Sequence, residues 1–165
     1  MASRISSSCV PQLLQVRDLP AAALLHADFA DADIAAARAR VAQADALVIA
    51  TPVYQSSFSG VLKTFLDLLP QNALLGKPVL PLAVGGSQSH MLAIDYALRP
   101  VLAALGSPHI LPGIYAAEAQ IKLQGDAGLI LDAAIAERVA NGIGQLTTTL
   151  QQNQIETAPA MLRLA

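Results

Sequence analysis

The sequence predicts an α/β fold: an open, mostly parallel sheet with helices on both faces. Two observations support this class. Short apolar runs at 46–50, 78–84 and 109–116 alternate along the chain with longer stretches of helical spacing. The run 46–50 is wholly apolar with β-branched residues, which is typical of a parallel strand buried on both faces. The chain has 165 residues and no internal repeat or flexible linker, so we expect a single domain over 1–165.

The first half of the chain is expected to hold two strands and two helices. In order, the segments are an irregular start at 1–12, a short strand at 13–20, a helix at 31–45, a strand at 46–50 and a helix over 61–69. Either Asp31 or Asp33 can serve as the N-cap of the helix 31–45. Ser59 is the expected N-cap of the next helix, and Pro70 ends it.

The second half continues the alternation. The expected segments are a strand at 78–84, a helix at 90–105, a strand at 109–116, a long helix at 126–150 and a tail at 151–165. Pro81 argues for an edge position of its strand or a local irregularity. Pro100 removes a backbone donor and predicts a kink or a wide turn in its helix. Gly106 suits the C-terminal end of that helix.

The composition favours a self-associating protein without a nucleic-acid partner. Apolar residues make up 54% of the chain and charged residues 13%, against roughly 25% charged in typical soluble domains. With so few charges to cover its surface, the chain is expected to bury part of that surface in a homo-oligomer. The net charge is −2, with Lys and Arg scattered, so the basic patch of a nucleic-acid-binding protein is absent.

Several other kinds of site and location are disfavoured. The single Cys9 excludes an internal disulfide. His26, His90 and His109 lie far apart with no Cys or carboxylate at ligand spacing, so each is interpreted as structural and no metal site is expected. No apolar stretch is long enough to cross a membrane. The chain does not open on a basic region followed by an apolar stretch, so a cytoplasmic location is expected.

Two loops follow successive predicted strands and could form a binding site. The first is "TPVYQSSFSG" after 46–50, and the second is "GGSQSH" after 78–84. Ligands of open α/β sheets bind beyond the carboxyl ends of the strands. Tyr54 offers an aromatic surface, and Gly85 and Gly86 let a flat ligand approach the main chain. Each motif alone is often only a turn, but their succession favours a site for a planar heterocycle.

The same residues carry a family resemblance. The segments "ATPVYQSSFSGVLKTFLDLLP" and "GKPVLPLAVGGSQSHMLAIDYALRPVLAALG" resemble the flavodoxin-like NAD(P)H-dependent FMN reductases. The likeness is closest to the reductases of alkanesulfonate monooxygenase systems, and it runs over 13–150, most specifically over 47–106. It implies a flavodoxin-like fold and hydride transfer from NADPH or NADH to FMN, with no catalytic acid or base. It also implies a homodimer or homotetramer that supplies reduced FMN to a flavin-dependent monooxygenase.

The resemblance also implies the site residues. The positions matching FMN contacts are Thr51, Pro52, Val53, Tyr54 and Gln55, against the ring and ribityl chain, and Gly85, Gly86 and Ser87, against the ring. The family's helix matching "DYALRPVL" carries an inserted residue that forms a π-helical turn at a tetramer interface. Tyr96 is the matching position here. Core packing at helical spacing is the alternative reading of Tyr96.

The N-terminus departs from the family pattern. The stretch "SRISSS" resembles the end of the family's phosphate-binding loop, with Arg4, Ser6, Ser7 and Ser8 as candidate phosphate donors. The strand before that loop and the helix after it are expected to be missing or abbreviated. The alternative is that 3–8 is a polar start with no binding role. A missing strand would leave unpaired backbone groups, or a neighbouring subunit would fill the gap.

Two other functions remain open from the sequence. One is an FMN-containing quinone or azo-compound reductase, and the other is a non-catalytic flavodoxin-like subunit that lacks the phosphate loop. A signal-receiver domain is disfavoured because Thr51 stands where such a domain needs an Asp. A classical dinucleotide fold is disfavoured because no G-x-G-x-x-G motif follows any strand.

Overall fold

The computed structural model describes residues 11–123 and 128–156. The helices are α1 (Ala21–His26), α2 (Ala32–Gln43), α3 (Gly60–Asp67), α4 (Arg99–Ala104) and α5 (Ala133–Glu156). The strands are β1 (Leu47–Tyr54), β2 (Ser57–Phe58), β3 (Val79–Gly85), β4 (Ile114–Ala117), β5 (Ile121–Leu123) and β6 (Leu129–Leu131). The phosphate-loop candidates Arg4, Ser6, Ser7 and Ser8 lie outside the described residues.

The main sheet has four strands in the order β2-β1-β3-β4. Strands β1, β3 and β4 are parallel, with Thr51 opposite Ala83 and Ala83 opposite Tyr115. The short β2 returns antiparallel to the end of β1. β5 and β6 form a separate antiparallel pair. The predicted parallel sheet is therefore confirmed.

Helices cover both faces of this sheet. One face packs against α1 to α4 around a core that includes Ile34, Phe65 and Leu102, all fully or nearly fully buried. The other face packs against α5 through a smaller cluster. Gly142 lets α5 approach closely, because a Cβ at this position would lie 2.8 Å from the Cδ1 atom of Ile114. The architecture is an α/β fold of three layers.

Strand β1 is covered on one face only. Ile49 and Thr51 are buried beneath the α1–α4 layer, whereas Val48, Ala50 and Pro52 on the opposite face are exposed. Within the described residues, no strand pairs with the outer edge of β1 over 47–52. Pro52 is tolerated in the strand because it needs no backbone donor toward that edge.

Pro81 lies in the central strand β3, so the edge position predicted for it is wrong. Pro81 is fully buried and pairs with Ile49 of β1. On the β4 side, Val79 donates its N–H to the carbonyl of His109 at 2.9 Å. Alternation places the nitrogen of residue 81 on that same side, but the continuous pairing with β4 starts only at Leu82. Pro81 has no N–H to donate toward β4, and β3 and β4 are not paired at this residue, so no hydrogen bond between the strands is lost. This interruption of the pairing confirms the predicted irregularity.

The helix predicted over 90–105 is broken, as Pro100 indicated. A 3₁₀ turn at Gln88–His90 precedes a π-helical turn at Ile94–Leu98, and α4 follows directly. Pro100 lies in the first turn of α4, where its missing N–H costs little. Gly106 follows the helix with φ +88°, a conformation that favours glycine.

Other boundaries differ from the prediction. Residues 13–20 form no strand; a 3₁₀ turn at Val16–Asp18 and then α1 occupy this region. β4 starts at Ile114 rather than at 109. α5 starts at Ala133 rather than at 126, and it continues through Glu156 into the segment predicted as a tail. The helix α2 begins at the predicted cap, where the Asp31 carboxylate accepts from two backbone N–H groups. No helix in the described ranges is long and apolar enough to cross a membrane.

Candidate functional site

The two predicted loops lie side by side at one edge of the sheet. The parallel register places Pro52 opposite Val84, so β1 and β3 end at the same level. A Cβ at Gly85 would lie 3.3 Å from the Cβ of Val53. Beyond the strands, Ser56 Oγ lies 3.4 Å from His90 Nδ1. The strand ends that carry residues 51–55 and 85–87 are therefore adjacent, as the carboxyl ends of neighbouring parallel strands must be.

The first loop is a tight β-hairpin rather than an open connection. β1 extends to Tyr54, which pairs with Ser57 of β2, and Gln55 and Ser56 form the two-residue turn. Both turn residues have positive φ, 48° and 61°, as a type I′ hairpin turn requires. The predicted strand 46–50 was therefore too short. The hairpin holds the Tyr54 side chain at the end of the strand, where it is 65% exposed.

Thr51 supports the hairpin and does not face the surface. Its side chain is buried, and its hydroxyl donates to the carbonyl of Pro52 at 2.9 Å. The same oxygen accepts from the N–H of Ser59 at 3.0 Å. Ser59 in turn caps α3 by accepting from the N–H of Leu62, which confirms the predicted cap. The hydroxyl of Thr51 is thus used within the protein.

The second loop exposes main-chain donors. Gly85 is buried at the end of β3, whereas Gly86 and Ser87 are exposed. A Cβ at Gly86 would meet nothing within 4 Å, so the space over this residue is open. Across the described ranges, no hydrogen bond uses the N–H of Ser87 or of Gln88. Such donors next to an open glycine fit the carbonyl and nitrogen acceptors of a flat ring.

The side chains at this surface carry no formal charge. Residues 46–62 and 78–94 contain no Lys, Arg, Asp or Glu. The titratable side chains of these segments are the phenol of Tyr54 and the imidazole of His90. Such a surface can hold an uncharged ring by hydrogen bonds and stacking.

Two shallow cavities lie away from these strand ends. One, of about 380 Å³, lies between residues 13–19 and α2. The other, of about 480 Å³, lies between α3 and α4. Neither includes a residue of 51–55 or 85–87, so both are distinct from the candidate site.

The three histidines lie in different elements of the described part of the chain. No group of three His, Cys, Asp or Glu side chains there could bind an ion. His26 ends α1, the carbonyl of His109 accepts from β3, and His90 contacts the hairpin.

Three residues at the site were not predicted from the sequence. Ser56 and His90 connect the two loops, and the buried Tyr115 of β4 donates its hydroxyl to the carbonyl of Ser87 at 2.5 Å. Burial raises the pKa of the Tyr115 phenol, and Glu118 raises it further. A tyrosine inside an apolar strand was the available signal, since a buried phenol needs a partner.

Comparisons with known proteins agree with this geometry. The family model described as NADPH-dependent FMN reductase matches residues 2–122. An FMN reductase (NADPH) of Pseudomonas putida is 47% identical over 149 residues, which cover 90% of this chain and 76% of that protein. An FMN reductase (NADPH) of Escherichia coli is 52% identical over 98 residues, 59% of this chain. The chain matches only 51% of the length of that second relative.

Solved structures of oxidoreductases have a similar fold. The apo form of an NADH:FMN oxidoreductase (EMOB) superposes with a TM-score of 0.67 at 36% identity, covering 91% of this chain and 74% of that one. The architecture is therefore that of the flavodoxin-like NADH:FMN oxidoreductases.

Proposed function

We infer the activity from one premise: the chain belongs to the NADPH-dependent FMN reductase family. We propose that it transfers hydride from NADPH or NADH to FMN. The observation that carries this proposal is the adjacency of the two strand ends. They place an exposed aromatic ring, an open glycine and unused main-chain donors on one uncharged surface.

The proposed roles follow from exposure and chemistry. The Tyr54 ring stacks on the flavin, because most of it is accessible at the end of β1. The N–H groups of Ser87 and Gln88 donate to acceptors of the ring, and Gly86 leaves room for the ring to approach. Thr51 acts indirectly by holding the hairpin.

The remaining predicted residues shape this surface. Pro52 is exposed beside Tyr54, and Val53 is half-buried against Gly85. Gln55, in the turn, extends the surface toward the ribityl chain of FMN. Bound FMN supplies the hydride-accepting chemistry. The protein positions the two reactants, which is why the segments forming the site need no charged acid–base pair.

We propose further that the chain forms a homodimer or homotetramer through its π-helical turn. Tyr96 lies in that turn and is 79% exposed, so the alternative reading of this residue as core is wrong. Met91 and Leu92, just before the turn, are also exposed. These apolar side chains form a surface patch of the kind that subunit interfaces cover. The partner that receives reduced FMN is proposed to be a flavin-dependent monooxygenase.

Steady-state oxidation of NADPH and of NADH, each with and without added FMN, tests the activity. The proposal expects oxidation that depends on FMN. Turnover of quinones by purified protein without added FMN would support the quinone reductase instead. A folded protein that neither oxidises the nucleotides nor binds flavin would contradict the proposal and support a non-catalytic subunit.

A further inference from the structure

Tyr115 of β4 lies directly behind the loop that follows β3. Its side chain is 3% exposed and packs with Ala83 and Ile94. The phenol hydroxyl donates to the carbonyl of Ser87 at 2.5 Å. A strand remote from the candidate site in sequence therefore reaches the main chain of that site.

The path of the loop over the phenol depends on Gly85. A Cβ at Gly85 would overlap the hydroxyl oxygen of Tyr115 and would lie 3.3 Å from its Cζ atom. The hydroxyl thus occupies the space that any larger residue would fill. Glycine at position 85 therefore makes room for the Tyr115 hydroxyl, which lies against the backbone.

A second contact ties the loop to the same strand end. Gln88 donates its side-chain amide to Gln120 Oε1 at 3.0 Å. The same oxygen accepts from the N–H of Ala117, at the end of β4. The loop after β3 is therefore held by β4 and the turn that follows it, through one buried hydroxyl and one side-chain amide.

The hydrogen bond to Ser87 has a directional consequence. In a trans peptide, the C=O and the following N–H point in opposite directions from one plane. The carbonyl of Ser87 accepts from the Tyr115 hydroxyl and, at 3.3 Å, from the N–H of His90, so the N–H of Gln88 points away from both donors. That N–H is one of the donors that no atom of the described residues accepts from.

We propose that Tyr115 is a positioning residue for the flavin ring: its hydroxyl fixes the Ser87–Gln88 peptide so that the Gln88 N–H faces the ligand. This rests on the proposed function, since it assigns Tyr115 a role in binding FMN. The phenol does not touch the ligand and takes no part in hydride transfer. The hydroxyl of Tyr115 holds the Ser87–Gln88 peptide in one orientation before the ligand binds. Less conformational entropy is then lost when FMN binds.

Titration of FMN fluorescence with Tyr115→Phe tests this role, because the substitution keeps the ring and removes only the hydroxyl. We expect the dissociation constant of FMN to rise about 3- to 10-fold, the loss expected for one neutral hydrogen bond. The dissociation constant of lumiflavin, which is the flavin ring alone, should rise by the same factor. Ser107→Ala is the matched control, since it removes a hydroxyl that donates to the carbonyl of Lys77 at 2.9 Å, before the start of β3, and its constant should equal that of the wild type.

Gly85→Ala, alone and combined with Tyr115→Phe, tests the same role of Tyr115 in a second way. Gly85→Ala should displace the hydroxyl and weaken FMN binding at least as much as Tyr115→Phe. In the Tyr115→Phe background, Gly85→Ala should add little, because the overlapping oxygen is gone. Thermal unfolding without flavin and the absorption spectrum of the bound flavin are recorded for each variant. A purely structural role would lower the unfolding temperature without changing that spectrum or the constant of the folded protein.

Each outcome separates the two proposals. A wild-type protein that binds neither FMN nor lumiflavin would overturn the proposed function. A wild type that binds FMN, with Tyr115→Phe or Gly85→Ala binding it equally well, would overturn the positioning role alone. Loss of FMN affinity with unchanged lumiflavin affinity would also overturn it, since the ring would not be the group affected.

Discussion

The hydroxyl oxygen of Thr51 accepts a hydrogen bond from the main-chain N–H of Ser59 at 3.0 Å. This bond closes the hairpin of β1 and β2 against the start of α3, and both residues are buried. Thr51 therefore links the strand that carries Tyr54 to the helix that follows. We propose that Thr51 supports the site through this bond, because its hydroxyl is already used within the protein.

Replacement of Thr51 by Val should destabilise the fold. The substitution preserves shape but leaves the buried N–H of Ser59 without its acceptor, at a cost of about 1–3 kcal/mol. Urea unfolding measures this change in the free energy of unfolding. Thr147→Val is the control: its hydroxyl bonds only the carbonyl of Ile143 on an exposed helix face, so a change within about 0.5 kcal/mol is expected. Equal effects in both variants would contradict the role given to Thr51.

Gly113 should be essential to the packing of the π-helical turn, whereas Gly144 should not. A Cβ at Gly113 would overlap Cγ2 of Ile94 and lie 3.0 Å from its Cδ1, so Gly113→Ala should cost about 1–3 kcal/mol. Gly144 lies in α5 with nothing within 4 Å, and Gly144→Ala should stabilise by about 0.5–1 kcal/mol. Chemical denaturation compares the two. A neutral or stabilising Gly113→Ala would show that the contact is not tight.

Tyr115 should make the stability depend on alkaline pH. Burial raises the pKa of its phenol above the ordinary value of 10.0. The unfolded chain therefore releases this proton at lower pH than the folded one, and the free energy of unfolding falls as pH rises above about 10. Unfolding measured from about pH 8 to about pH 11 should show this fall in the wild type, and a shallower fall in Tyr115→Phe. Identical slopes would mean that Tyr115 titrates normally.

Tyr96 should control self-association if the π-helical turn is the interface. Tyr96→Arg introduces a charge into the proposed contact without touching the core, since the side chain is 79% exposed. Sedimentation velocity should show a shift toward monomer at unchanged secondary structure. Leu13→Arg, at another exposed apolar residue, should leave the assembly intact. An unchanged sedimentation coefficient for Tyr96→Arg would place the interface elsewhere.

Local signals predicted the centre of the molecule well. Asp31 and Ser59 cap their helices as expected because capping depends on a few adjacent residues. The apolar runs predicted β1 and β3. β3 is buried on both faces, as such a run indicates, whereas β1 is covered on one face only. The predicted consequence, two loops meeting at one sheet edge, followed from parallel pairing alone.

Elements set by distant contacts were missed. The alternation at 13–20 predicts a strand, but Leu14, Val16 and Leu19 instead pack against the helical core around a short 3₁₀ turn. β5 and β6 are three-residue strands that exist only through pairing with each other. The extension of β1 through Pro52 could not be predicted, because whether a proline interrupts a strand depends on whether a neighbouring strand needs its backbone donor.

The site itself could be predicted only in outline. The glycines and Tyr54 were visible as motifs, but the link from Tyr115 to Ser87 joins residues that are 28 apart in sequence. The contact of Ser56 with His90 likewise joins different loops. Such relationships depend on strand order, which a sequence pattern does not specify.

Equilibrium titration of FMN against the wild type, Tyr54→Phe and Tyr54→Ala tests the central claim most directly. The account predicts that the wild type binds FMN and that Tyr54→Phe, which keeps the ring, binds it nearly as well. Tyr54→Ala should lose about 1–3 kcal/mol, which is about 5- to 160-fold in Kd. A folded wild type without FMN affinity, or a Tyr54→Ala variant with the wild-type Kd, would contradict flavin binding at these strand ends.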